Sequence, residues 1–529
     1  MKKKILLLLT MLTTVTEFAF AQPSIKNQKV IGGNANDFFS CMAFTKDGGL
    51  IAGGTSYSGI SGQKTDSLRG TDGGDYWIIK LDAAGNIQWD KTIGGTRNDQ
   101  LTAIQQTKDG GYILGGYSQS DASADKQAPR IGALDYWIAK LDAAGNIQWD
   151  KTYGLPEEYF DICELYDLKQ TGDGGYIMTG TVVGEDYEEP NWVIKTDASG
   201  NMEWNSITGG EEAGNNTIIQ TKDGGYMLGS STVDHIAEKT SYRVVKFDKN
   251  GVIQWKKIYG AGEFSSSYLY SILQMTDNSY LLAGSSDGWL EEFKTDTSRG
   301  RNDYWLLKID SLGNALWDKT IGGNYYDYLR SIDKTADGGL ILGGYSYSNA
   351  SGEKTENNSG GGGLTDADYW IVKLNKQGIA EWDKTIGGDT TDVLLRIRER
   401  KTNQYVLGGY SYSGISGDKT KPSRGGADYW ITGIQYNTFS ARQSAAENIT
   451  AANKQNINTY IVYPNPVKDI LRIQNTGKAT FTLTNPSGKI ILTKIINGNG
   501  EINVAHLPAG IYYLKDNETG TTQKIMIVK

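Results

Sequence analysis

Along most of the chain, apolar and polar positions alternate in short runs, and turn signals interrupt each run after about five to eight residues. Tyr112-Ile113-Leu114-Gly115-Gly116 is one such run, and the stretches Tyr136 to Leu141 and Ile147 to Tyr153 follow it. Runs of this length, rich in aromatic and β-branched residues, predict strands. The turns beside them are Lys108-Asp109-Gly110-Gly111 and Asp142-Ala143-Ala144-Gly145-Asn146, in which Gly and Asn supply the backbone freedom a tight turn needs. One unit therefore reads as four strands. Strand A follows a Gly-Gly pair, strand B follows the first turn, a longer polar loop leads to strand C, and the second turn returns the chain through strand D.

This unit recurs. The run from Asp75 to Thr92 and the run from Asp135 to Thr152 differ at one residue, and related copies are centred on Trp192, Arg243, Trp305, Trp370 and Trp430. Seven units spaced by 51 to 65 residues result, and four strands per unit with local connections predict a β-propeller. Gly pairs in strand B (Gly53-Gly54, Gly115-Gly116, Gly343-Gly344, Gly408-Gly409) mark where blades crowd together, and twelve of the 13 Trp fall at two positions in strands C and D, where blades splay apart. Unit seven stops after strand C at Ile434. The stretch Ile25 to Gly33 matches Ile87 to Gly95 at five of nine places, so the first strand is expected to complete the last blade. The fold class is all-β: a seven-bladed β-propeller closed by the N-terminal strand over residues 22–435, followed by a small antiparallel β-sandwich.

Composition narrows the function. Gly is 67 of 529 residues but Pro only 9, which excludes collagen-like and Pro-rich disordered chains. Two Cys and two His leave no material for a disulfide framework, a zinc site or His-based catalysis, and Cys41 and Cys163 are expected as buried free thiols. Lys2-Lys3-Lys4, the apolar run from Ile5 to Val15 and Ala19-Phe20-Ala21 form the three zones of a secretory signal peptide, residues 1–21. Its apolar run is about half the ~20 residues of a spanning helix, and no later stretch reaches that length, so no membrane-spanning segment is expected. Losing three Lys and one Glu with the signal takes the formal charge from −8 to −10, which makes nucleic acid a poor partner.

Residues 436–457 are polar, lack β periodicity and read as a linker. Beyond them, Tyr463-Pro464-Asn465-Pro466, the hairpin Leu507-Pro508-Ala509-Gly510-Ile511-Tyr512-Tyr513-Leu514 and the terminal Lys529 occur within a segment of short strands, residues 458–529. This segment closely resembles the type A C-terminal sorting domain of the bacterial type IX secretion system. The resemblance implies export across the outer membrane, with the secretion machinery as a partner, and release or attachment at the cell surface. It implies nothing about the activity of the preceding residues.

Among near-identical blades, a residue type shared by every copy serves the blade, whereas one confined to a single copy is a candidate site. By this filter the recurrent Lys80, Lys140, Lys195, Lys246, Lys308 and Lys373 are expected to pair with nearby carboxylates. The Asp-Gly-Gly sequences are turns, and the stretch from Asp82 to Trp89, although similar to the tryptophan-docking repeat of quinoprotein propellers, is blade packing. The B to C loops and D to A links share the elaborate face, where function is expected. Asp37, Asp99, Asp327 and Asp392 each lie four residues after a Gly pair, with Asp161 near the same place. They are candidates either for an acidic ring at the channel mouth, suited to a cation, or for turn caps. Phe38, Phe39, Tyr159, Phe160, Trp289, Tyr325, Tyr326 and Tyr328 are candidate ligand-stacking aromatics. No cofactor is expected, and the sequence leaves metal binding open. The expected function is a secreted or cell-surface binding module for polysaccharide or a surface protein; a carboxylate-based glycan-active enzyme and a purely structural surface protein are the alternatives.

Overall fold

A computed structural model describes residues 22–155, 160–184, 190–209, 216–260, 265–288, 290, 293–437, 461–463, 467–474, 477–485, 489–508, 510–518 and 522–527. The expected signal peptide and nearly all of the expected linker lie outside them. Among the described residues there is no helix, and contacts divide the chain into two compact units meeting at residues 439 and 440.

The first unit contains seven four-stranded antiparallel sheets among its described residues, each of the form that makes a propeller blade. In sheet one the strands A to D are Asp37–Phe44, Leu50–Ser56, Asp75–Leu81 and Ile87–Ile93. Sheets two to six repeat this order. Sheet seven has strands A to C at Asp392–Lys401, Gln404–Ser411 and Asp428–Gln435, and its fourth strand is the leading Ser24–Ile31, antiparallel to Asp428–Gln435 with Val30 opposite Trp430. Strands B and C of sheet one are buried throughout, whereas strand D of sheet four, Ile253–Tyr259, alternates between half-buried and exposed, as an outer edge does.

The second Gly of each strand B pair is required by its own sheet. A Cβ on Gly54 would lie 1.9 Å from the Phe38 carbonyl oxygen, and one on Gly116 1.9 Å from that of Gln100. The first Gly makes room for the next sheet: a Cβ on Gly53 would fall 2.6 Å from a Leu101 methyl. Between sheets, aromatic pairs fill the seams. Tyr76 packs on Trp137 with ring centroids 4.7 Å apart, and its hydroxyl donates to the Trp137 carbonyl at 3.1 Å. The same arrangement joins Tyr136 to Trp192, Tyr242 to Trp305, Tyr304 to Trp370, Tyr369 to Trp430 and, from sheet seven to sheet one, Tyr429 to Trp77. Sheets three and four lack it, because Asn191 stands in the Tyr place and Arg243 in the Trp place. The six recurrent lysines pair as expected with turn aspartates, for example Lys80 with Asp47 at 2.8 Å and Lys373 with Asp337 at 2.9 Å. Both cysteines are buried, and neither forms a disulfide among the described residues.

The second unit has its own core, which includes Leu471, Phe481, Leu483, Leu514 and Ile525. One sheet joins Ile461–Tyr463, Ile470–Gln474 and Gly500–Asn503, and the other runs Ile490–Asn497, Lys478–Thr484, Gly510–Asp516, Thr522–Ile527 in spatial order.

Candidate functional site

Each strand A begins among the loops, and in six of the seven sheets it carries a β-bulge at the same point; strand A of sheet four pairs without a shift. In sheet one the register with strand B shifts between Phe39 and Cys41, which leaves Ser40 unpaired; corresponding shifts isolate Thr102, Tyr166, Tyr270, Arg330 and Leu395 in sheets two, three, five, six and seven. A bulge bends its strand and re-aims the extra side chain. Here the six bulge residues line one cavity of about 180 Å³, together with Arg396 and with Asn216, which immediately precedes strand A of sheet four, Thr217–Gln220. Every one of the seven sheets thus contributes to a single space.

A second cavity of about 210 Å³ shares Tyr166, Asn216, Tyr270, Arg330 and Arg396 with the first and continues past Arg398, Lys169, Asp167 and Asp333. Arg330 lies with its guanidinium carbon 4.2 Å from the Tyr270 ring centroid, and its Nη2 donates to the Tyr345 hydroxyl at 2.9 Å. Arg398 Nη1 donates to Ser331 Oγ at 3.0 Å and to the Ile397 carbonyl at 2.8 Å. Arg396 donates only to the Leu395 carbonyl, at 2.9 Å. Burial is the main cause that pulls the Arg396 pKa below its ordinary value, and the neighbouring Arg398 and Arg330 act in the same direction. Among the described residues no carboxylate lies within ion-pair distance of these three guanidiniums: Asp167 is ion-paired with Lys169, and Asp333 accepts the Glu399 backbone N–H at 3.1 Å.

Aromatic rings surround the loop-side approach to Arg330. Tyr328 packs on Tyr345 at 5.2 Å, Tyr326 stacks on Tyr328 at 6.0 Å, and Tyr325 meets Tyr326 edge-on at 5.0 Å. Arg301 lies over Tyr325 and Tyr326. Phe38 packs on Tyr410 of sheet seven at 5.3 Å and on Tyr57 at 6.3 Å. The structure thus gathers Tyr325, Tyr326 and Tyr328 in one cluster and places Phe38 in another. Phe39 is a core residue against Tyr429. Tyr159 and Trp289 lie outside the described residues, as do the side chains of Phe160 and Asp161.

The four remaining candidate carboxylates are fully buried beneath the loops. Asp37 accepts the Gly33 N–H at 2.7 Å and the Ser58 hydroxyl at 2.9 Å, which ties the D to A link to the B to C loop. Asp99, Asp327 and Asp392 do the same with Gly95 and Ser120, Gly323 and Ser348, and Gly388 and Ser413. This is the capping geometry. Each also faces a carboxylate at the start of the preceding sheet's strand C. Burial and that neighbour together raise the pKa of Asp75 to about 7, beside Asp99, and that of Asp368 to about 8, beside Asp392. The loop lysines Lys64, Lys354 and Lys419 lie close by and are pushed down to about 8, chiefly by burial. Among the described residues, no group of three or more His, Cys, Asp or Glu is placed to hold a metal ion.

The hub residues escaped the sequence reading although a signal existed. The fourth residue of strand A is Ser40, Thr102, Tyr270, Arg330 and Leu395 in five of the copies, a column as variable as any loop.

A chain of blade-like sheets around a shared hub, followed by a separate β unit, defines the class of protein. Residues 461–529 match the family model of the secretion system C-terminal sorting domain. This segment is a sorting domain of the type IX secretion kind, and it implies export across the outer membrane to a secreted or cell-surface location. No helix among the described residues is long and apolar enough to cross a membrane. No curated protein matches the chain. Among solved structures, a protein of unknown function from Dyadobacter fermentans is similar at 11% identity, covering 78% of this chain and 99% of that one with a TM-score of 0.43. Sqt1 from Chaetomium thermophilum gives 11% identity over 78% of this chain and 100% of its own, TM-score 0.41, and the WD40 domain of SCAP from fission yeast 8% over 96% and 89%, TM-score 0.33. Likeness at these scores says nothing about ligand or activity.

Proposed function

We propose that residues 22–435 form a seven-bladed propeller closed by its leading strand, exported with the signal peptide 1–21 and the sorting domain, and that it acts at the cell surface as a binding module for polysaccharide. The single observation that carries this reading is the hub cavity, to which all seven sheets contribute and whose lining differs from copy to copy while the blades stay nearly identical. The Tyr328–Tyr345 and Phe38–Tyr410 clusters on its loop side supply flat apolar faces of the kind that stack on sugar rings. The candidate acidic residues of the loops are engaged in holding those loops, which favours binding over a two-carboxylate hydrolysis.

The test is a glycan array probed with the mature full-length chain. Retention of a defined set of glycans, lost in Tyr328→Ala together with Tyr345→Ala, is the expected result. Retention of none, with a surface-protein partner captured instead through the same face, would replace polysaccharide by protein as the ligand.

A further inference from the structure

Although the chain is acidic, with a formal charge of −8, the hub gathers four cationic side chains against two adjoining cavities. Arg330, Arg396, Arg398 and Lys169 line the two adjoining spaces, against the carboxylates Asp167 and Asp333. Lys169 already neutralises Asp167, which also accepts the Ile218 N–H at 3.0 Å, so three guanidiniums face the cavity against one remaining carboxylate, Asp333, which accepts a backbone N–H and lies outside ion-pair distance of them. Their donors are not used up. Arg396 spends one N–H on a backbone carbonyl, and Arg330 Nε is buried with no hydrogen-bond partner. Asn216 points independently to a polar ligand. It is only 5% exposed and lines both cavities, yet neither its Oδ1 nor its Nδ2 has a partner. A buried, unsatisfied amide is costly, so a polar group entering the hub is expected to recover that cost.

We infer that the hub binds an anionic sugar residue, carrying a carboxylate or a sulfate ester, with Arg330 and Arg396 holding the anion, Asn216 a ring hydroxyl, and Tyr270 and Tyr345 the sugar faces. The inference rests on the polysaccharide reading and specifies its ligand. Arg is suited to this role because its planar fork gives two parallel N–H donors to one oxyanion. Each cavity is smaller than the roughly 300 Å³ at which pockets begin to enclose drug-sized ligands. The hub therefore takes a terminal or branching residue, and the remainder of the chain leaves along the aromatic approach.

Calorimetry on the mature full-length protein tests this with four probes of matched length: a uronic-acid oligosaccharide, a sulfated oligosaccharide, a neutral oligosaccharide and poly-glutamate. Binding of at least one anionic sugar probe is expected, ten-fold or more tighter than the neutral one, weakened at least ten-fold in Arg396→Gln and less steeply salt-dependent in that variant. The two sugar arms tell carboxylate from sulfate. Arg330→Lys, which keeps the charge but loses the planar fork assigned to the anion, is the second variant and should weaken the same probe; both are accepted only with an unchanged melting temperature. Equal affinity for the neutral probe, or anionic binding that survives both substitutions, would overturn the inference while leaving the polysaccharide reading standing. Tighter binding of poly-glutamate than of either sugar would overturn its sugar part. No binding of any saccharide here, with an empty glycan array, would bring down the underlying reading as well.

Discussion

Single atoms decide much of this fold. The Gly pairs and the indoles were legible from the repeat itself, because a position that must accept hydrogen or a large ring shows the same residue in most copies. The Gly54 and Gly116 environments explain why: each lacks room for a methyl against a backbone oxygen that cannot rotate away. Gly116→Ala is accordingly expected to destabilise by about 1–3 kcal/mol or more through overpacking, read as a lowered denaturation midpoint in urea. The buried carboxylates make a second residue-level prediction. Asp368 has its pKa raised to about 8 by burial, then by Asp392 and Asp366, against the opposing pull of the Ser359 N–H and Lys354. A carboxyl whose folded pKa exceeds its unfolded value binds protons more tightly when folded, so its contribution is complete below about pH 4 and is lost as pH rises toward 8. Lys354, depressed to about 8, contributes in the opposite sense, losing stability as pH falls through that value. Asp368→Asn should flatten the decline of melting temperature between pH 5 and pH 8, and an unaltered slope would show that the carboxyl does not titrate there.

Among the elements, strand A resisted sequence reading. Strict alternation places every second residue on one face, and a bulge reverses that assignment partway along the strand without a sequence mark. Arg330 and Tyr270 consequently read as ordinary strand positions, whereas Asp327, three residues before Arg330, stands out in the sequence and is a cap. The leading strand was legible because its wording copies a strand D. Deleting residues 22–31 removes the strand paired with Asp428–Gln435 and bares the edge of sheet seven, so the melting temperature should fall by well over 5 °C; a scan superimposable on the full chain would contradict the closure. The seam between sheets three and four lacks the Tyr-to-carbonyl bond of the other six and is held instead by Arg243, which donates to the Thr208 and Gly209 carbonyls. Asn191 is buried with both amide atoms unpaired, where other seams have a Tyr donating to a carbonyl. Hydrogen exchange should release the amides of Asn191–Thr196 before those of Asp75–Leu81 or Asp368–Leu374.

At the scale of the whole molecule, two units with separate cores follow one another along the chain, and the second matches a family model. Residues 22–437 produced alone should melt within about 2 °C of the mature chain, while the same truncation in cells should abolish passage across the outer membrane, scored by surface protease accessibility.

The pairing of Ser24 with Gln435 also fixes an order of events, for the hydroxyl and carbonyl that meet there are separated by 411 positions in sequence. The strand Ser24–Ile31 has no docking edge until Asp428–Gln435, at the far end of the first unit, has been made. Sheet seven is therefore completed only after nearly the whole first unit has been made, and because this pairing closes so long a loop it is expected to form late and slowly, which stopped-flow refolding of the chain with and without residues 22–31 would check.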